Sequence, residues 1–296
     1  MACESAPTRE EVGRLRGSWA DVCESMRMGS VAGNRAEQWR QRSERLPYRW
    51  VFRTLPFHTL VELQSEARLA WLRLTRRGID PRFASSKDLL VNIGCGSLGL
   101  DGWVNIDCYP AQGVTCVRDC RTALPLPSSS ARGIFTEHFL EHLDYYHEAP
   151  RFLNECRRVL TAGGTLRIIV PDGAKYLETY CSGDLEDFEA FSPLATMDLS
   201  SDEAPFSMVR DVLPFRTKME VVNFHFRQSG QHRFSYDFET LARLLEDCGF
   251  TSVVKMQFRS SGLPELGIDS ELRALESLVV EATKLSQCDS DSRREA

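Results

Sequence analysis

Between residues 88 and 171 short apolar runs alternate with helical segments, and the first run ends in a glycine loop, Asn92-Ile93-Gly94-Cys95-Gly96-Ser97-Leu98-Gly99. This rhythm constrains the fold more than any other feature. Strands that are apolar almost throughout, with helices between them, make a parallel sheet covered on both faces. Strands are expected at Asp88–Ile93, Trp103–Asp107, Val114–Arg118, Gly133–Thr136 and Thr165–Val170, the last stopped by Pro171. A helix from about His147 to Leu160 has Pro150 in its first turn and Phe152, Cys156 and Val159 on one face. Asp237 caps another helix through Leu241, Leu244, Leu245 and Cys248, and Ser252–Phe258 with Glu276–Glu281 complete the sheet.

The chain around this α/β stretch is uneven in charge. Of 296 residues 42% are hydrophobic and 26% charged, enough for a full core and too apolar for wholesale disorder. From Arg35 to Arg77 there are ten arginines and four glutamates, so this stretch carries +6 and the remainder −12 of a net −6. The first 85 residues are read as a basic helical arm. Within it Thr59 and Glu62 make a capping box, Leu60, Leu63, Ala67, Ala70 and Leu74 an apolar stripe, and Gly78 the stop. A domain is expected over 86–285, with an acidic cap inserted at 182–232 and a polar, disordered tail at 286–296. No run approaches the roughly 18 apolar residues of a membrane span, and the first twenty residues hold no secretory signal, so a cytoplasmic protein with reduced thiols is expected. Cys108, Cys116 and Cys120 would need a fourth ligand to hold zinc, and no metal is expected.

In an open α/β sheet ligands bind beyond the carboxyl ends of the strands. Gly94, Gly96 and Gly99 match the G-x-G-x-x-G dinucleotide pattern, which is weak alone. Only seven residues, Ser97–Trp103, separate the loop from the next strand, and its closing acid, Asp107, comes eight residues after Gly99. There is no room for the helix that would neutralise a pyrophosphate. S-adenosylmethionine (SAM) suits the loop better. Bare glycines admit its methionine and ribose portions, Asp107 can accept from both ribose hydroxyls, and Asp119 from an adenine amino group.

Four segments, Asn92-Ile93-Gly94-Cys95-Gly96, Gly102-Trp103-Val104-Asn105-Ile106-Asp107, Glu137-His138-Phe139-Leu140-Glu141-His142-Leu143 and Leu160 through Asp172, resemble the class I SAM-dependent methyltransferases, in a branch with a shortened first helix. His232-Arg233-Phe234, Tyr236-Asp237 and Glu276 through Ala282 extend the resemblance. It implies a seven-stranded Rossmann-like sheet, mostly parallel with the last strand antiparallel. It also implies a cofactor site drawn from Asn92, Gly94, Cys95, Gly96, Asp107, Asp119, Cys120, Glu137 and His138. Asn92 stands where many members have an acid.

Methyl transfer from a sulfonium needs the acceptor aligned and, for an alcohol, its proton removed. The candidate bases are His138, His142, Asp172, His225 and His232; Asp172 could instead cap the following helix, and Lys175 and Tyr176 could line the cleft. His138-Phe139-Leu140-Glu141-His142 also spells H-x-x-E-H, a zinc-protease pattern when helical, but it directly follows a strand and lacks a third ligand. The expected activity is methylation, at oxygen, of a small molecule or sugar. Two other readings stay open: a non-catalytic module docking on a protein or membrane surface through the basic arm, and a nucleic-acid or protein methyltransferase. The acidic body argues against a long polyanion. Acceptor identity and oligomeric state are not legible.

Overall fold

Runs such as Leu89-Leu90-Val91-Asn92-Ile93 and Leu166 through Val170 have no polar face to give to water, and each is buried between two layers. The computed structural model describes residues 57–189 and 215–285, all within one compact unit, Trp50–Met197 with Pro214–Ala296. Seven strands, β1 (Leu89–Ile93), β2 (Val104–Asp107), β3 (Cys116–Val117), β4 (Ala131–Glu137), β5 (Leu160–Pro171), β6 (Phe250–Lys255) and β7 (Ser277–Lys284), form one sheet. Their order is β3-β2-β1-β4-β5-β7-β6. β1 to β5 run parallel, and β7 pairs antiparallel with both β5 and β6. The strand order reverses between β1 and β4, which opens the crevice where such sheets bind ligands.

The helices, in chain order, are α1 (Phe57–Thr75), α2 (Glu148–Val159), α3 (Gly173–Ser182), α4 (Leu185–Glu189), α5 (Lys218–Arg227) and α6 (Phe238–Asp247). α2 turns Phe152, Leu153, Cys156 and Val159 into the core, and α6 turns in Leu241, Leu244 and Leu245. Asp237 caps α6 as expected, its Oδ1 accepting from the Thr240 N–H at 2.8 Å. No helix separates β1 from β2. The connection folds flat because Gly99 and Gly113 lie backbone to backbone, so close that a Cβ on Gly99 would sit 2.5 Å from Gly113.

Two local expectations are corrected. Thr59 is not an N-cap, because α1 is already running at Phe57. The stretch around 182–232, which shows no period in sequence, carries helices at both described ends. α5 has the capping box there instead, with the Glu220 N–H donating to the Thr217 side chain at 3.2 Å and the Thr217 N–H to Glu220 Oε2 at 3.1 Å. α3, α4 and α5 share a small core of Tyr176, Phe188, Val221 and Val222. All described cysteines are free thiols. Most of the basic arm, the centre of the cap and the 286–296 tail lie outside the described residues. No described helix is long and apolar enough to cross a membrane.

Candidate active site

The glycine loop leaves β1 with Gly94 and Gly96 both in the left-handed region, at φ 72° and 52°. A Cβ on Gly94 would meet Phe139 at 2.9 Å, so the loop lies directly against the turn after β4, whereas the space over Gly96 is open. Asp107, half-exposed at the end of β2, pins the loop: its Oδ2 accepts from the Gly96 N–H at 2.9 Å and its Oδ1 from Tyr109 N–H at 2.8 Å. Asn92 is buried beneath, donating to Leu98 O at 3.2 Å and to Asn105 Oδ1 at 3.4 Å. It braces the loop from below. Cys95 is a buried thiol that burial first, and the neighbouring Asp107 second, push up to about 12, so it is no nucleophile.

The far side of this crevice is closed by α1. Leu69 and Leu72 are buried, Arg68 donates to Cys108 O at 3.0 Å, and the Arg68 guanidinium lies 4.5 Å over the Tyr109 ring. Asp119, expected to reach an adenine, is enclosed by cations: Arg121 Nε at 3.2 Å and Arg73 Nε at 3.3 Å. Its carboxylate ties α1 to the segment after β3. Cys120 beside it is buried. The open glycine backbone and the carboxylate at the end of β2 fit the methionine and ribose portions of SAM; the adenine contact is not prepared at Asp119.

The rest of the rim is a cluster of buried ionisable groups. β4 ends at Glu137, whose Oε1 accepts from Ser270 N–H at 3.0 Å and whose acidity burial weakens. The next residue, His138, sits at φ 50°, a strained setting for a side chain of this size, and its Nε2 lies 2.8 Å from Ser277 Oγ on β7. A single 3-10 turn, Leu140–His142, follows. The helix that H-x-x-E-H would require is therefore absent, and His138 and His142 do not share a helical face. His225, on α5, approaches Tyr176 Oη at 3.2 Å and Glu276 at 3.7 Å, while Tyr176 donates to Glu276 Oε2 at 3.1 Å. His232 Nδ1 is 2.5 Å from His225 O, and the His142 and His232 rings meet edge to face at 5.0 Å.

Burial governs the charge state of this cluster. It lowers His138 and His142, takes His225 down to about 3 and His232 to about 4, and raises Glu276 to about 7 and Glu141 to about 8. The imidazoles are neutral at physiological pH. Asp172, at the carboxyl end of β5, is also buried, with Oδ1 unpartnered and Lys255 Nζ 3.4 Å from Oδ2. Its side chain makes no bond to the start of α3, so the capping role is corrected. The four candidate histidines thus meet in one region, with Glu141, Glu276 and Tyr176 among them. Glu276 was hidden in the sequence because its strand reads only as an apolar run. Lys175 instead donates to Leu275 O.

A methyltransferase-domain family model matches residues 104–168, from β2 into β5. No curated protein matches the chain. Solved structures similar to it include a SAM-dependent methyltransferase from Archaeoglobus fulgidus (18% identity over 77% of this chain and 100% of that one, TM-score 0.39). Another, from Thermotoga maritima, is described as a possible histamine N-methyltransferase (18% identity, 67% and 83%, TM-score 0.36). A third comes from Methanosarcina mazei (18% identity, 71% and 100%, TM-score 0.38). Likenesses this distant add no weight of their own. The domain match runs from β2 into β5 and includes Asp107, Glu137 and His138, whereas the glycine loop after β1 lies before its start; the sheet order is β3-β2-β1-β4-β5-β7-β6.

Proposed function

We propose that the chain is a class I SAM-dependent methyltransferase, with S-adenosyl-L-methionine as its cofactor, that methylates a hydroxyl group of a small molecule or sugar. One observation carries this reading: a set of neutral imidazoles stands on the same rim as the glycine loop, joined to it through Phe139. SAM supplies an activated methyl group, and the chain's residues do the rest. Gly94, Gly96 and Asp107 hold the donor at the ends of β1 and β2. His138 is the group best placed to receive the acceptor's proton, being neutral, one residue from Phe139 and oriented by Ser277. His225, held by Tyr176 and Glu276, and Asp172 position the acceptor.

The test is incubation of the full chain with methyl-labelled SAM and panels of hydroxylated metabolites, free sugars, amines and thiols. Label in an ether product is expected, and His138→Ala should lower kcat more than it changes SAM affinity. Transfer to amines or thiols alone would overturn the oxygen assignment. Transfer to RNA or DNA, with a salt-dependent gel shift, would overturn the small-molecule one.

A further inference from the structure

The carboxylate of Glu141 poses a problem that methyl transfer does not solve. The residue is 1% exposed, and neither side-chain oxygen has a hydrogen-bond partner. The nearest cation-forming group, His138 Nδ1, is 3.4 Å from Oε1. An orphaned buried carboxylate is costly and asks for an explanation. Its neighbours supply one: Glu141, His142 and His232 each place a ligand atom within 4.8 Å of the other two.

The two imidazoles are prepared in the same way. His142 Nδ1 lies 3.1 Å from Gln231 O and His232 Nδ1 lies 2.5 Å from His225 O. A carbonyl can only accept, so each Nδ1 carries the proton and each Nε2 is left with a free lone pair. Backbone carbonyls fix metal-binding histidines in this manner, choosing the tautomer and the ring orientation. A small enclosed cavity of about 10 Å³, lined by Glu141, His232, Tyr176 and His225, adjoins them, room for one bound atom. The Glu141 main chain also accepts from Arg233 N–H at 2.7 Å and Phe234 N–H at 3.2 Å, which clamps the segment carrying His232 to the turn carrying the other two.

We propose that Glu141, His142 and His232 bind a divalent first-row transition-metal ion, with zinc the best match to two imidazoles and one carboxylate. Ligands about 2.1 Å from a tetrahedral zinc stand roughly 3.4 Å apart, so the three side chains draw in by little more than ~1 Å. Three protein ligands leave a fourth position facing the cavity. The sequence motif contributes two of the ligands, but with Glu141 as a ligand in place of a general base and His138 left out. The site stands independently of which acceptor is methylated, and its binding is read without turnover.

The experiment is metal analysis and zinc titration of the full chain stripped with chelator, followed by cobalt substitution. Zinc at one ion per chain and tetrahedral cobalt absorption are expected. Glu141→Gln and His232→Ala should each weaken zinc at least about tenfold, while His138→Ala, a neighbour outside the ligand set, should keep it. Zinc should also raise the melting temperature of the native chain and of His138→Ala but not of the ligand variants, provided circular dichroism shows those folded. Absence of saturable zinc or cobalt binding by the folded native chain would overturn the proposal. So would binding that Glu141→Gln and His232→Ala leave unchanged. Loss of binding in His138→Ala, with His232→Ala unaffected, would assign a different ligand set and overturn it too.

Discussion

Arg167 offers the sharpest test of what holds the back of the sheet together. It is fully buried on β5, with Nε donating to Asp269 Oδ1 at 2.7 Å and Nη1 to both Glu281 Oε1 and Ser260 O at 2.7 Å. Arg167→Met keeps a flexible apolar stem and removes the cation. Asp269 then retains the Arg259 N–H at 2.8 Å, and Glu281 the Gly262 N–H at 3.0 Å, as donors to otherwise buried carboxylates. Removing one partner of a buried ion pair costs about 3–5 kcal/mol. In a domain of this size each kcal/mol moves the melting temperature by ~2–4 °C, so the variant should melt roughly 6–20 °C lower by calorimetry. Neutralising the stranded acids in the triple variant Arg167→Met, Asp269→Asn, Glu281→Gln should recover most of the loss, since the amide oxygens still accept from Arg259 and Gly262. A triple variant no more stable than the single one would refute the reasoning and show that lost packing sets the penalty.

Other perturbations act on the cofactor rim. Asp107→Ala should weaken SAM binding by about 10- to 150-fold by calorimetry, because a charge-assisted bond to a ribose hydroxyl contributes ~1.5–3 kcal/mol; an unchanged Kd would remove Asp107 from the site. Gly94→Ala should destabilise the fold, since its Cβ would strike Phe139 at 2.9 Å on top of the positive φ. Gly96→Ala meets only the strain, about 1–2 kcal/mol, and should reduce SAM affinity with a smaller fall in melting temperature. The two glycine variants behaving alike would contradict the contact difference. Burial raises Glu276 from its ordinary 4.5 to about 7, so the folded state holds its proton longer than the unfolded chain does. Stability should therefore fall as pH rises through that window, by on the order of 3 kcal/mol, and Glu276→Gln should flatten the profile in urea unfolding between pH 5 and 8. A profile with the same slope in both proteins would exclude Glu276 as the source.

The strands and their carboxyl ends were legible because a buried parallel strand leaves a continuous apolar run, and because Gly94, Gly96 and Asp107 sit at its close. The seven-residue spacing after the loop correctly implied that no helix joins β1 to β2. Hidden were contacts between residues far apart in the chain. Arg167 and its acids are 102 and 114 residues apart, and nothing in a window around Thr165–Val170 distinguishes that arginine from a surface one. Glu276 and Tyr176 are 100 apart. The Glu141–His142–His232 grouping joins a turn to a segment 90 residues on, so the motif showed two members and the third emerged only with the fold. Local chemistry could also mislead. Thr59 with Glu62 and Thr217 with Glu220 spell the same capping pattern, but only the second starts a helix, because the first lies where the helix is already formed.

The position of α1 bears on how the chain comes together in time. Residues 57–75 contribute no strand to the sheet, yet they pack beside the carboxyl end of β2 through Arg68, Cys108 and Tyr109. During synthesis this helix emerges before any described strand, while its partners Cys108 and Arg121 follow 40 and 55 residues later. Until then Leu69 and Leu72 have nothing to cover, and Arg73 has Glu66 of its own helix but not Asp119. That packing is therefore completed late, when the earliest-made described element docks on strands made after it, and a chain begun at Ser86 would keep all seven strands but lack it.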